Sequence, residues 1–363
     1  MQAVRITAGR SAIICLFIVM LLLAGCSTDI SVASSGTSSS GTGTTSASTI
    51  SSGVQGVQLF VEPNDGDRVI TNALAGAKKS VLLEMYLLTE RNVIRGLEEA
   101  AQRGIDVRVM LEMHPYGSGS VSPQETLDRL QAAGVKAEAT SPDFSLTHEK
   151  GMVIDGSTAY IMTSNFTASA LGSGSYTKNR EYGIIDTNGQ DVQAVTTIFN
   201  ADWNRSSPQI NDSNLVVSPV NSRGAFEALI KSAHKTLLIE AEEMQDSDIE
   251  QAIVSAGQRG VQVEVLLPAP SSSSSSDSTG DSNSSGISTI SHTGVQVRED
   301  PRLYMHAKMM LVDGQRAFVG SENISAASLD SNRELGILVS DQKALSTLQQ
   351  TFQQDWGDSH AVQ

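Results

Sequence analysis

Gln102-Arg103-Gly104-Ile105-Asp106-Val107-Arg108-Val109-Met110-Leu111 is answered, 156 residues further on, by Gln258-Arg259-Gly260-Val261-Gln262-Val263-Glu264-Val265-Leu266-Leu267. In both, a glycine ends a helical stretch and an alternating run of apolar and polar residues begins, which predicts a helix stop followed by a strand. Three further blocks recur in the same order: His148 with His306, Asn179-Arg180-Glu181 with Asn332-Arg333-Glu334, and Phe199…Asp202-Trp203 with Phe352…Asp355-Trp356. Four blocks repeating at spacings of 153 to 158 residues make two homologous halves, expected over 56–205 and 206–363.

Working outward from the first decapeptide, Asp67 to Lys79 has helical apolar spacing, Val81 to Tyr86 is a short apolar run, and Thr89 to Arg103 is again helical. Ser122-Pro123-Gln124-Glu125 offers a capping box with proline at the first helical position, opening a helix that Gly134 ends, and Ser247…Glu250 offers another box. Alternation of this kind predicts an α/β fold: two α/β/α halves with mostly parallel or mixed sheets about a pseudo-twofold axis. Ligands of such sheets sit beyond the carboxyl ends of the strands. The segments after Leu111 and Leu267, His114 to Val121 and a Ser-rich insertion, are therefore expected to flank one entrance.

The flanking composition is of another kind. Arg5 and Arg10, the apolar run from Ser11 to Leu23 and the tetrapeptide Leu23-Ala24-Gly25-Cys26 predict a lipoprotein signal peptide over 1–25, with Cys26 the lipidated residue. The alternative is an uncleaved anchor, since the run approaches the roughly 20 residues that span a bilayer. Either reading places the rest of the chain in the cell envelope outside the cytoplasm, held to a membrane, and a diacylated Cys26 meets the two-chain requirement for stable anchoring. Residues 26–55, nearly all Ser, Thr, Gly and Ala, are expected to be a flexible tether, and the Ser-rich stretch 270–286 a disordered loop. Beyond Cys26 the only other cysteine, Cys15, lies in the signal segment, so the folded body has no internal disulfide and depends on its core. A net charge of -15 gives no long-range attraction to nucleic acid, which makes a nuclease the less favoured reading.

The chemistry is carried by two segments. His148-Glu149-Lys150, Asp155 and Thr163-Ser164-Asn165 are echoed by His306-Ala307-Lys308, Asp313 and Ser321-Glu322-Asn323. One H-x-K is a weak signal; two, each with Asp, Asn and Asn-Arg-Glu in register, are a strong one. On an extended strand His and Lys two apart share a face, and apolar runs follow both pairs, so a pseudo-twofold pairing would gather His148, Lys150, His306 and Lys308 around one centre. Such a set suits metal-free phosphodiester cleavage. Lysines and the Asn165 and Asn323 amides hold the non-bridging oxygens, one imidazole attacks phosphorus and the other handles the leaving-group proton. A carboxylate on each far ring nitrogen would fix the tautomer, and Glu181 and Glu334 are the candidates. The hydroxyls of Thr163 and Ser321 are expected to contact substrate. No metal and no cofactor are expected, because the lysines would compete with a cation and zinc or calcium spacing is missing.

These paired segments resemble the H-x-K-x4-D signature of the phospholipase D superfamily, over about residues 57–357. The resemblance implies a phosphohistidine intermediate, with His148 as nucleophile and His306 as general acid and base, and structural roles for Asp155 and Asp313. It implies a phosphoric diester hydrolase, or a transferase to an alcohol, acting on a phospholipid, and the chain is expected to be a monomer. One departure stands out: Met162 replaces the glycine that Gly320 supplies in the second half, and is expected to narrow the pocket on one side. The rival readings are an exported nuclease, a cardiolipin-synthase-like phosphatidyltransferase and an inactive surface binding module. His114, His234, His292 and His360 are read as surface or loop residues, and Trp203 and Trp356 as core anchors. Glu84 and Glu240, matched in apolar runs, are either buried and partnered or at half-exposed strand ends.

Overall fold

The computed structural model describes residues 51–116, 122–174, 177–270, 283–291 and 294–362. Cys26, the signal segment, nearly all of the tether, part of the His114 to Val121 entrance segment, most of the Ser-rich insertion and His292 lie outside these residues.

The first half runs β1 (Gln58–Glu62), α1 (Arg68–Gly76), β2 (Ser80–Met85), α2 (Arg91–Gln102), β3 (Asp106–Leu111), α3 (Pro123–Ala132), β4 (Lys136–Ala139), β5 (Lys150–Ile154), β6 (Thr158–Met162), β7 (Asn179–Asp186) and α4 (Gly189–Trp203). The second runs β8 (Leu215–Ser218), α5 (Ser222–Lys231), β9 (Thr236–Glu240), β10 (Met244–Gln245), α6 (Ser247–Gln258), β11 (Gln262–Pro268), α7 (Ser284–Ile290), β12 (Val295–Asp300), β13 (Tyr304–Met305), β14 (Met309–Val312), β15 (Arg316–Gly320), β16 (Ile324–Ser325), α8 (Ala326–Asp330), β17 (Glu334–Val339), α9 (Gln342–Asp358) and β18 (His360–Ala361).

Strand order is β1-β7-β6-β5-β2-β3-β4 in one sheet and β18-β12-β11-β9-β14-β15-β17-β8 in the other. Both sheets are mixed. β2, β3 and β4 pair in parallel, joined through helices, whereas the β2–β5, β5–β6 and β6–β7 pairs are antiparallel, β5 and β6 forming a tight hairpin. The parallel share is thus smaller than helix–strand alternation alone suggests. β9, β11 and β12 repeat the parallel block. The α/β class and the two-half architecture are as expected.

Three apolar clusters hold the layers. α1, α2 and α3 cover the outer face of the first sheet, burying Leu74, Val93, Leu97 and Leu130 against Val81, Leu83 and Val109. α5 and α6 do the same for the second with Phe226, Leu229, Ile249 and Ile253. The third cluster belongs to both halves: Ile161, Tyr182 and Ile184 pack with Val319, Leu335 and Ile337, joined by Phe199 of α4 and Phe352 of α9. Trp203 and Trp356 stack on those phenylalanines at 5.8 and 5.6 Å and are core anchors.

Several local expectations need correction. Ser122 makes no side-chain cap, and α6 is capped by Asp246, which accepts from Ile249 N, rather than by Ser247. The tether ends before residue 55: Val54 is buried and bridges Val339, with Val54 N donating to Leu338 O at 2.9 Å. The loop expected over 270–286 ends in structure, since Asn283 is buried, accepts from Met244 N and starts α7. Met162, expected to narrow the pocket, is fully buried and packs in the outer core of its half. In the second half a Cβ at Gly320 would meet the Gly336 backbone at 2.4 Å and Glu322 Oε2 at 2.5 Å, so the close approach of the neighbouring strand requires glycine there.

Asp155 and Asp313 do the structural work expected of them. At φ 57° and 54° each closes a hairpin after its strand. Asp155 accepts from the backbone N–H groups of Lys78, Lys79 and Ser80, and Asp313 from those of His234, Lys235 and Thr236. Each carboxylate therefore fixes the entry of the neighbouring β2 or β9 and lies at the strand end opposite to the histidine.

Candidate active site

The two halves exchange short stretches of backbone just ahead of each histidine. Thr147 bridges Arg333 and His148 N donates to Arg333 O at 2.9 Å, while β13, immediately before His306, pairs in parallel with Asn179 and Arg180 of β7. Each histidine is thereby set beside the glutamate of the opposite half. His148 Nδ1 lies 3.0 Å from Glu334 Oε2, and His306 Nδ1 lies 2.9 Å from Glu181 Oε2. Both carboxylates are fully buried, and both histidines are under a tenth exposed. The same crossing holds the Asn-Arg-Glu arginines. Arg180 makes a bidentate pair with Asp355 of α9, at 2.5 and 2.8 Å, and Arg333 NH2 donates to Asp202 of α4 at 3.0 Å.

With Nδ1 engaged by a carboxylate, Nε2 of each ring is left for chemistry, and the tautomer is set by the bond the other nitrogen makes. Burial, Lys150 and Lys308 outweigh Glu334 and hold the His148 ring at a pKa of about 4, so it is a neutral imidazole near pH 6. Burial would raise the Glu334 carboxyl, but His148, Lys150 and Ser321 keep it below its ordinary range. Lys150 Nζ donates to His148 O at 2.6 Å and lies 5.0 Å from the Tyr86 ring centre; burial and then Lys308 lower its pKa to about 7. Lys308 Nζ donates to His306 O at 2.8 Å and to Glu242 Oε2 at 2.7 Å.

Asn165 and Asn323 are buried and directly follow the turns that carry Thr163 and Ser321, and neither amide oxygen meets a donor among the described residues. Thr163 and Ser321, the residues expected to contact substrate, stand behind the crossed carboxylates. Thr163 Oγ1 donates to Glu181 Oε2 at 2.6 Å and accepts from Tyr182 N; Ser321 Oγ accepts from Leu335 N and adds a hydrogen bond to Glu334. Buried and so engaged, both hydroxyls position the carboxylates.

Four contributors were not legible in the motifs: Tyr86, Glu242, Tyr304 and Ser328. Tyr86 packs edge-on to His148 with ring centres 4.7 Å apart. Glu242 Oε2 lies 3.4 Å from His306 Nε2, and Tyr304 Oη donates to Glu242 Oε1 at 3.0 Å. Ser328 Oγ donates to Glu334 Oε1 at 2.7 Å. Tyr86 and Glu242 stand two residues beyond the matched Glu84 and Glu240, which was the available signal.

Glu84 and Glu240 are fully buried; Glu84 has no hydrogen-bond partner among the described residues, whereas Glu240 is paired with the Tyr182 hydroxyl. One oxygen each of Glu84, Glu149 and Asp202 comes within 4.8 Å of the others. This group could hold a cation only in competition with Arg333. Burial and then the Asp202 charge push Glu149 up to about 8, so its carboxyl is neutral near pH 7 and the crowding of negative charge is eased. His114 is a surface residue, 93% exposed in its side chain, and His360 is half exposed on β18.

Two sheets that each lend a His–Lys pair to one centre, with crossed carboxylates behind the rings, define a phospholipase D-type protein. A family model described as "Cardiolipin synthase, PLD-like domain" matches residues 70–203 and 226–356, one match for each half. The chain belongs to that family. It is 24% identical over 329 residues to the probable cardiolipin synthase YwiE of Bacillus subtilis, covering 81% of this chain and 64% of that protein. It is likewise 24% identical over 344 residues to a cardiolipin synthase of Oceanobacillus iheyensis, covering 83% and 68%. The chain thus spans about two thirds of the length of these relatives. In fold it is similar to the phosphatidylserine synthase of Haemophilus influenzae, with TM-score 0.65 and 13% identity over 85% of this chain and 88% of that one. A polyphosphate kinase of Porphyromonas gingivalis also gives TM-score 0.65, at 16% identity over 84% of this chain and 48% of its own.

Proposed function

We propose that the protein transfers a phosphatidyl group from a phospholipid to an alcohol, with water as a competing acceptor, through a phosphohistidine on His148. The crossed His148–Glu334 and His306–Glu181 pairs carry this reading, because they leave two Nε2 atoms for opposite sides of one phosphorus. The neutral His148 ring, with its lone pair on Nε2, forms the N–P bond as the P–O bond to the head-group alcohol breaks. His306 gives its Nε2 proton to the departing oxygen. In the second step the acceptor hydroxyl returns a proton to His306 as its oxygen displaces His148 from phosphorus. Lys150 and Lys308, with the Asn165 and Asn323 amides, offset charge on the non-bridging oxygens. Transfer rather than hydrolysis is favoured by the likeness to cardiolipin synthases.

We place the protein at a membrane surface outside the cytoplasm through Cys26, on the sequence pattern alone. Among the described residues no helix is long and apolar enough to cross a membrane. The test is product analysis on vesicles of phosphatidylglycerol and phosphatidylethanolamine beside single-stranded DNA, with His148→Ala and His306→Ala as controls. Lipid products lost in both variants support the proposal. Cleavage of DNA with lipid untouched refutes it.

A further inference from the structure

The two halves present different walls to the site at one equivalent position. In the first half Tyr86 stands there: its ring lies edge-on to His148 and its hydroxyl accepts from Tyr116 N at 2.5 Å, so this wall is aromatic and uncharged. In the second half the place is taken by Glu242, its side chain 12% exposed, 2.7 Å from Lys308 Nζ and 3.4 Å from His306 Nε2. Burial opposes its ionisation, but His306 and Lys308 outweigh burial and hold the carboxyl below its ordinary range, so this wall is anionic.

An in-line displacement puts attacking and leaving groups on opposite sides of phosphorus. With His148 attacking, the leaving alcohol departs towards His306, and therefore towards Glu242 and Tyr304. A phosphodiester anion entering between the lysines takes up donors of Lys308 that Glu242 uses in the free protein. A buried carboxylate deprived of its partner beside a new anion is strongly disfavoured unless another cation replaces it. The substrate itself can bring that cation, on the alcohol that leaves.

Resting on the phosphatidyl-transfer reading, we infer that Glu242 is a specificity-determining residue that selects zwitterionic phospholipids, those whose departing head group carries an ammonium. An ammonium two carbons from the scissile oxygen meets the Glu242 carboxylate as Lys308 turns to the phosphate. A glycerol head group leaves the carboxylate without a counter-charge.

The experiment uses the full chain on mixed vesicles holding equal amounts of phosphatidylethanolamine and phosphatidylglycerol, with head-group release followed for each. In the unmodified protein, ethanolamine release should exceed glycerol release by about tenfold or more, the scale of one charge-assisted hydrogen bond. Glu242→Gln should bring the ratio of the two kcat/KM values towards one, and Glu242→Tyr, which copies the opposite wall, should do the same. Glycerol released as fast as ethanolamine by the unmodified protein overturns the inference and leaves phosphatidyl transfer standing; so does an unchanged ratio in folded variants. Release of neither head group removes the phospholipid reading, and the inference with it.

Discussion

Exchanging the carboxylates behind the two rings tests the crossed geometry directly. Glu334 belongs to the second half but serves His148 of the first, 3.0 Å from Nδ1, and Glu181 serves His306 at 2.9 Å. Glu334→Gln keeps the shape and removes the charge, leaving a buried imidazole free to adopt the wrong tautomer. In a hydrolytic triad the comparable change costs roughly 10⁴ in rate, or about 5 kcal/mol in the barrier. The assay is rapid-quench release of p-nitrophenol from bis(p-nitrophenyl) phosphate, read beside phosphoenzyme detected under alkaline conditions. This leaving group departs with little need of an acid, so its burst reports attack by His148. Glu334→Gln should slow the burst by about 10⁴. Glu181→Gln should keep most of the burst, accumulate phosphoenzyme and slow turnover by roughly 10² to 10⁴, because His306 must still take the proton of the acceptor. The opposite pattern, with the burst lost in Glu181→Gln and retained in Glu334→Gln, would refute the assignment of His148, held by Glu334, as the nucleophile.

Other expectations follow from the same contacts. The pH profile of kcat/KM should rise through about 4 as His148 becomes neutral and fall through about 7 as Lys150 loses its proton. Lys150→Arg should shift the alkaline limb upward, and an unmoved limb would take the assignment away from Lys150. The folded-state pKa of Glu149 is raised to about 8 from 4.5, so its stabilising contribution is full below about 4.5 and is lost as pH rises through about 8. Glu149→Gln should therefore raise Tm more at pH 9 than at pH 5, and equal shifts would contradict the buried protonated carboxyl. Arg180→Met strands Asp355 in the core and should cost roughly 3 to 5 kcal/mol in denaturant unfolding; a loss under about 1 kcal/mol would mean the pair is not buried as described. Asp155→Ala removes the acceptor of three backbone N–H groups and should lower stability by about 2 to 3 kcal/mol. The folded fraction should keep its kcat/KM, and a selective loss of turnover would give Asp155 a catalytic part.

Repetition made the architecture legible, because a duplicated block fixes where helices stop and strands start without reference to their neighbours. Spacing did the same for the His–Lys pairs and for the two aspartates. What the chain order left undecided is which residue meets which across the halves. Glu181 lies 33 residues after His148 in the sequence yet bonds to His306, and Arg333 reaches back to Asp202. Those partners are chosen by the exchange of backbone at Thr147 and β13, a long-range pairing that local periodicity does not encode. The same limit explains Met162, whose direction depends on which face of β6 the outer helices cover. It explains Glu242 too, for the repeat pattern displays what the halves share, whereas the charge that distinguishes their two walls emerges only when both sheets close on one centre.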